Sequence, residues 1–79
     1  MNESQLTKFG FRARTALYLI LNRGKWVSVG DIVRGTDLSM STVIRACNFL
    51  VKNFPNLFET DGIEFRFKGF RGDKNGYKM

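Results

Sequence analysis

Pro55 is the only proline in the chain, and the spacing of apolar residues differs on its two sides. Upstream, Val43, Ala46, Cys47, Leu50, Val51 and Phe54 recur at the 3.6-residue period of a helix that buries one stripe. Downstream, Ile63, Phe65 and Phe67 alternate with Glu64, Arg66 and Lys68, the period of a strand with one solvated face. Proline lacks the N–H that a helix needs and disfavours helical geometry at the residue before it, so the helix ends near Asn53 and Phe54. Helices followed by a small sheet make an α+β chain.

Working back from Pro55, Ser39 is the N-cap of a third helix over 39–53, with Thr42 at N3. Gly35-Thr-Asp-Leu38 is the break before it, and Leu38 plugs the corner between helices. A second helix of about two turns starts at the N-cap Ser28, with Asp31 in its first turn and Ile32 and Val33 facing inward. Lys25-Trp-Val27 adds a brief strand, and Trp26 is expected to anchor the small sheet rather than to stack on a base.

The first helix starts after Ser4 or Thr7 and ends before Gly24. Leu6, Phe9, Ala13, Ala16, Leu17, Ile20 and Leu21 form its expected core stripe. That leaves Phe11, Tyr18 and Leu19 on the side of Lys8, Arg12 and Thr15, to be covered by other elements or by a second subunit. They are the candidate homodimer surface.

After Pro55, Leu57-Phe-Glu-Thr60 and Ile63-Glu-Phe-Arg-Phe-Lys68 flank Asp61-Gly62, a pair suited to a type I′ hairpin turn. Residues 1–68 form one domain. Gly72 and Gly76 among Arg71, Lys74 and Lys78 make 69–79 a basic, flexible tail.

Seventy-nine residues allow one modest core. With no histidine and a single cysteine, the chain has no zinc-finger spacing, Cys/His pair or Ser/His/Asp triad, and Cys47 cannot form an internal disulfide. Seven carboxylates, scattered among caps, turn and tail, offer no acid/base pair. The expectation is therefore a non-enzyme with no metal and no cofactor. Arg12 and Arg14 precede the apolar run Ala16–Leu21, which is too short for a secretory core or a membrane span, so a cytoplasmic, non-secreted protein is expected. A formal charge of +6 and a pI near 10 favour a polyanionic partner.

The solvent face of the third helix carries Ser41, Arg45, Asn48 and Lys52, residue types that read base edges and phosphates. Leu38-Ser-Met-Ser-Thr-Val-Ile-Arg45 and the later Leu50-Val-Lys52 resemble the recognition-helix region of the winged helix-turn-helix superfamily, including MarR-like and ArsR-like regulators. The likeness spans roughly residues 12–68, and the element order of helix, strand, helix, turn, helix and hairpin agrees with it. The resemblance implies three helices, a small antiparallel sheet with a wing hairpin, and double-stranded DNA as the partner. Under it, Ser39, Ser41 and Thr42 sit near the duplex, Arg45 reads a guanine, Asn48 an adenine or a phosphate, and Lys52 the backbone.

Two departures accompany the likeness. Asn53-Phe-Pro-Asn56 replaces the usual glycine turn into the wing, and Glu59, Asp61 and Glu64 make the wing acidic, which disfavours its approach to phosphates. Arg66, Lys68 and Arg71 remain as backbone contacts from the base of the wing. The expected role is sequence-specific DNA binding by a small transcriptional regulator, suited to a phage or virus and acting as a homodimer on two half-sites. The alternatives are a winged-helix protein-protein adaptor and a single-stranded RNA binder, the latter suggested by Phe65-Arg-Phe-Lys-Gly-Phe-Arg71.

Overall fold

The computed structural model describes residues 10–69, which form three helices and a three-stranded antiparallel sheet. The order is α1 (Phe11–Leu21), β1 (Val27–Ser28), α2 (Val29–Thr36), α3 (Met40–Asn53), β2 (Phe58–Thr60) and β3 (Glu64–Phe67). In the sheet, β3 lies between β1 and β2, pairing Val27 with Phe65 and Phe58 with Phe67. This α+β arrangement is compatible with a winged helix. The early turns expected for the first helix, through residue 9, and the tail beyond Gly69 lie outside the described residues.

Local chemistry accounts for most element boundaries. The Ser28 hydroxyl accepts from Asp31 N at 3.1 Å while the Asp31 carboxylate accepts from Ser28 N at 3.2 Å, a reciprocal capping box that starts α2. Those bonds from Ser28, backbone first, hold the Asp31 carboxyl below its ordinary pKa of 3.8. Its contribution to stability is therefore present above that ordinary value and fades as pH falls through the lower folded one. Ser28→Ala should cost about 1 kcal/mol. It should also flatten the acid limb of stability when urea midpoints are compared from neutral pH to below the carboxylate range. An unchanged midpoint in the variant would rule out the box as the start signal.

At its other end α2 stops in a left-handed Asp37, φ +62°, and the Arg14 guanidinium of α1 donates to the Thr36 carbonyl at 2.6 Å. Two residues after Asp37, Ser39 caps α3, accepting from Thr42 N at 3.3 Å. As expected, α3 ends at Asn53, before Pro55.

Val43, Ala46, Cys47 and Leu50 of α3 meet Leu19 of α1, Ile32 of α2, and Val27, Phe58, Phe65 and Phe67 of the sheet in one core. Val33, Leu38 and Val51 are partly buried against it. Burial pushes the Cys47 thiol up to about 12, so it stays protonated and behaves as a small hydrophobe. Gly35 lets α1 and α2 approach closely, since a Cβ there would stand 2.1 Å from the Tyr18 ring.

Five expectations are corrected by the packing. The first helix is turned about its axis: Thr15 and Leu19 are buried, whereas Ala13 is exposed and Leu21 is 75% exposed. Thr15 can face the core because its hydroxyl donates to the Phe11 carbonyl at 2.8 Å, leaving its methyl group to pack inward. Phe54 is 45% exposed, and its ring lies edge-on with that of Phe49, at 6.3 Å between ring centroids.

The hairpin turn is also shifted by one residue. Asp61 faces Glu64, with Asp61 N donating to the Glu64 carbonyl at 3.3 Å, so the two loop residues are Gly62 and Ile63. Only Gly62 has positive φ, +100°, as in a type II′ rather than a type I′ turn. Ile63, expected inside, is left 77% exposed at the tip. Trp26, finally, is exposed on the outer side of the sheet instead of anchoring its core.

Candidate nucleic-acid interface

A helix that buries Val43, Ala46, Cys47 and Leu50 must turn Ser41, Arg45, Asn48 and Lys52 the other way, and all four are exposed. Their positions on a 3.6-residue helix fall within one narrow stripe. Among the described residues, no hydrogen bond or ion pair engages the Arg45, Asn48 or Lys52 side chain. Two cations and a two-way hydrogen-bonding amide are thus left pointing to solvent along one rigid rod.

Arg12 of α1 extends this face. Its guanidinium lies 4.0 Å from the centroid of the Phe49 ring, on the flank of α3, and 5.5 Å from that of Phe11. Spacing along the chain gave no sign of this contact, because it joins residues on two helices. The opposite flank of α3 is apolar: Met40 is 57% exposed and Ile44 40%. Both residues lie within the Leu38–Arg45 motif, between its polar positions, where apolar type alone signals no contact.

At the start of α3, Ser39 both caps the backbone and donates its hydroxyl to Thr42 Oγ1 at 2.8 Å. Capping accounts for Ser39, and Thr42 is half-buried, so Ser41 is the hydroxyl most open to a ligand.

The sheet uses its charges differently. Register places Trp26, Arg66 and Glu59 in one row across its outer face. Arg66 Nε donates to Glu59 Oε2 at 2.6 Å, a second guanidinium nitrogen reaches the same oxygen, and the guanidinium carbon lies 4.5 Å from the centroid of the Trp26 ring. Arg66 is therefore committed to its own sheet, and Glu59 is neutralised there. The Asp61 carboxylate is also engaged, accepting from Glu64 N at 2.7 Å and Ile63 N at 2.8 Å, which lowers its pKa. Lys68 is exposed at the base of the hairpin, opposite Leu57, while Arg71 lies outside the described residues.

Protein-family models, curated proteins and solved structures give no match to this chain.

Two other sets of site residues change status. Leu19, expected on a dimer surface, is 1% exposed and belongs to the core of its own chain, while Tyr18 packs against that core beside Gly35. The chain's own elements cover Leu19 and Tyr18, whereas Phe11 is half-buried beside the exposed Arg12. For single-stranded RNA, the stacking residues Phe65 and Phe67 are buried, at 7% and 0% exposure, and Phe70 lies outside the described residues. Phe65 and Phe67 alternate with charge because the strand has an inner face. Among the described residues there is no group of acids, Cys or His placed to hold a metal, and no helix long and apolar enough to cross a membrane.

Proposed function

We propose that this chain is a winged helix-turn-helix domain that binds double-stranded DNA sequence-specifically, with α3 entering the major groove. The observation that carries this reading is the solvent stripe Ser41, Arg45, Asn48 and Lys52, whose Arg, Asn and Lys side chains lack partners within the described chain. Arg45 is the guanine reader, through its two-pronged guanidinium; Asn48 is the adenine reader, through its amide. Lys52, Arg12 and Lys68 neutralise phosphates. The formal charge of +6 supplies the salt-dependent part of the affinity.

The wing acts from its base. Glu59 is held away from DNA by its ion pair with Arg66, so its charge is offset within the sheet. The same pair removes Arg66 from the phosphate contacts. Ile63, rather than a cation, occupies the exposed tip. Most of the binding energy therefore falls to α3 and its Arg12 flank.

A small transcriptional regulator is the biological role this chemistry suits, with two copies reading two half-sites. Selection of bound duplexes from a random pool at two salt concentrations tests the reading. The expected result is one recovered motif, two-fold symmetric if two copies bind, with affinity falling steeply as salt rises. Recovery of unrelated duplexes at both salts, or the absence of salt-sensitive binding, would defeat it and leave a protein-binding adaptor as the use of the fold.

A further inference from the structure

We infer that Ile44 is a specificity residue that packs on the C5-methyl group of a thymine, so that α3 reads an A·T pair through Ile44 and Asn48 together. This rests on the proposed DNA-binding role of α3. Ile44 is four residues before Asn48 and three after Ser41, so the three side chains are neighbours on one helix surface. It is 40% exposed, and Met40, one turn earlier on the same flank, is 57% exposed.

The placement is costly for a merely solubilising face. A β-branched apolar residue there leaves 40% of its surface in water between a serine and an asparagine, while the core is already closed by Val43, Ala46, Cys47 and Leu50. In the major groove the thymine methyl group is the only apolar feature of a base edge, and the adenine of the same pair presents N6 and N7 to an amide. Side chains four apart on a helix stand roughly 5–6 Å apart. Neighbouring bases on one strand are spaced at about 3.4 Å. Ile44 and Asn48 therefore reach the same or adjacent base pairs. The other flank, with Arg12 stacked on Phe49, is cationic and suited to phosphate. The asymmetry orients α3, with its apolar flank toward base edges and its cationic flank toward the backbone.

Replacing thymine by uracil removes only that methyl group and keeps every Watson–Crick bond. The test takes the duplex recovered by selection and substitutes uracil at one thymine at a time. It measures the parent, Ile44→Ala and Arg45→Ala, with thermal melting to verify that the exposed-site variants stay folded. One position is expected to weaken the parent about fourfold, the equilibrium value of one buried methyl group. Arg45→Ala should keep that sensitivity and Ile44→Ala should lose it.

If duplex binding is specific but no uracil substitution matters, or Ile44→Ala responds like the parent, the inference is overturned and the DNA-binding reading stands. If the protein shows no salt-sensitive duplex binding, both fall, and a protein partner becomes the explanation of the Met40 and Ile44 flank.

Discussion

Phe67→Ala is expected to remove roughly half of the protein's folding stability. Phe67 is fully buried and is the largest of the completely enclosed side chains. Its ring packs on Phe58 at 5.3 Å between centroids, and its backbone carbonyl accepts from Gly24 N at 3.1 Å, tying β3 to the segment that leaves α1. Truncating an enclosed phenylalanine costs about 3–5 kcal/mol, because transfer energy is lost and a cavity remains. Against that, a domain of this size has a total stability on the order of 4–12 kcal/mol. Urea unfolding followed by tryptophan fluorescence should show the midpoint falling to roughly half the parent's value.

Phe54→Ala is the matched control. The same periodicity places Phe54 on a buried stripe, yet it is 45% exposed, and its loss should cost about 1 kcal/mol, well below the loss at Phe67. Equal effects at the two positions would contradict the packing described above.

Arg45→Ala is expected to have the largest effect on binding. A guanidinium that bridges two acceptors on one guanine contributes roughly 1–3 kcal/mol of discrimination. Its removal should cost about 5- to 150-fold in affinity for the selected duplex and relax the preference at a single base pair. Folding should be untouched, because Arg45 is exposed and no hydrogen bond or ion pair holds it among the described residues. Lys68→Ala separates reading from neutralisation: it should weaken every duplex alike and lower the salt slope by about one. Fluorescence anisotropy at several salt concentrations measures both quantities. If Arg45→Ala and Lys68→Ala bind all sequences as the parent does, α3 is not the reading element.

How far each feature was legible follows from the range of the interaction behind it. The caps at Ser28 and Ser39, the break at Asp37 and the stop before Pro55 depend on side chains bonding to backbone within a few residues. The inner face of α3 was legible for a related reason. Val43, Ala46, Cys47 and Leu50 are unambiguous apolar residues opposite unambiguous polar ones. The first helix has no such contrast. With Ala16, Leu17, Tyr18, Leu19, Ile20 and Leu21 in succession, apolar spacing allows two faces, and Thr15 is polar by type although its hydroxyl is satisfied within its own helix.

The helix that ends just before Pro55 and the strand that follows it were determined by the sequence alone, along with the order of the elements and the outward set Ser41, Arg45, Asn48 and Lys52. Local hydrogen bonding and periodicity suffice for these. Tertiary structure alone decided the rotation of α1, the one-residue shift of the hairpin turn, the capture of Arg66 between Glu59 and Trp26, and the placement of Arg12 on Phe49. Each depends on contact between elements or on strand register, and burial of a side chain is a property of what lies across from it.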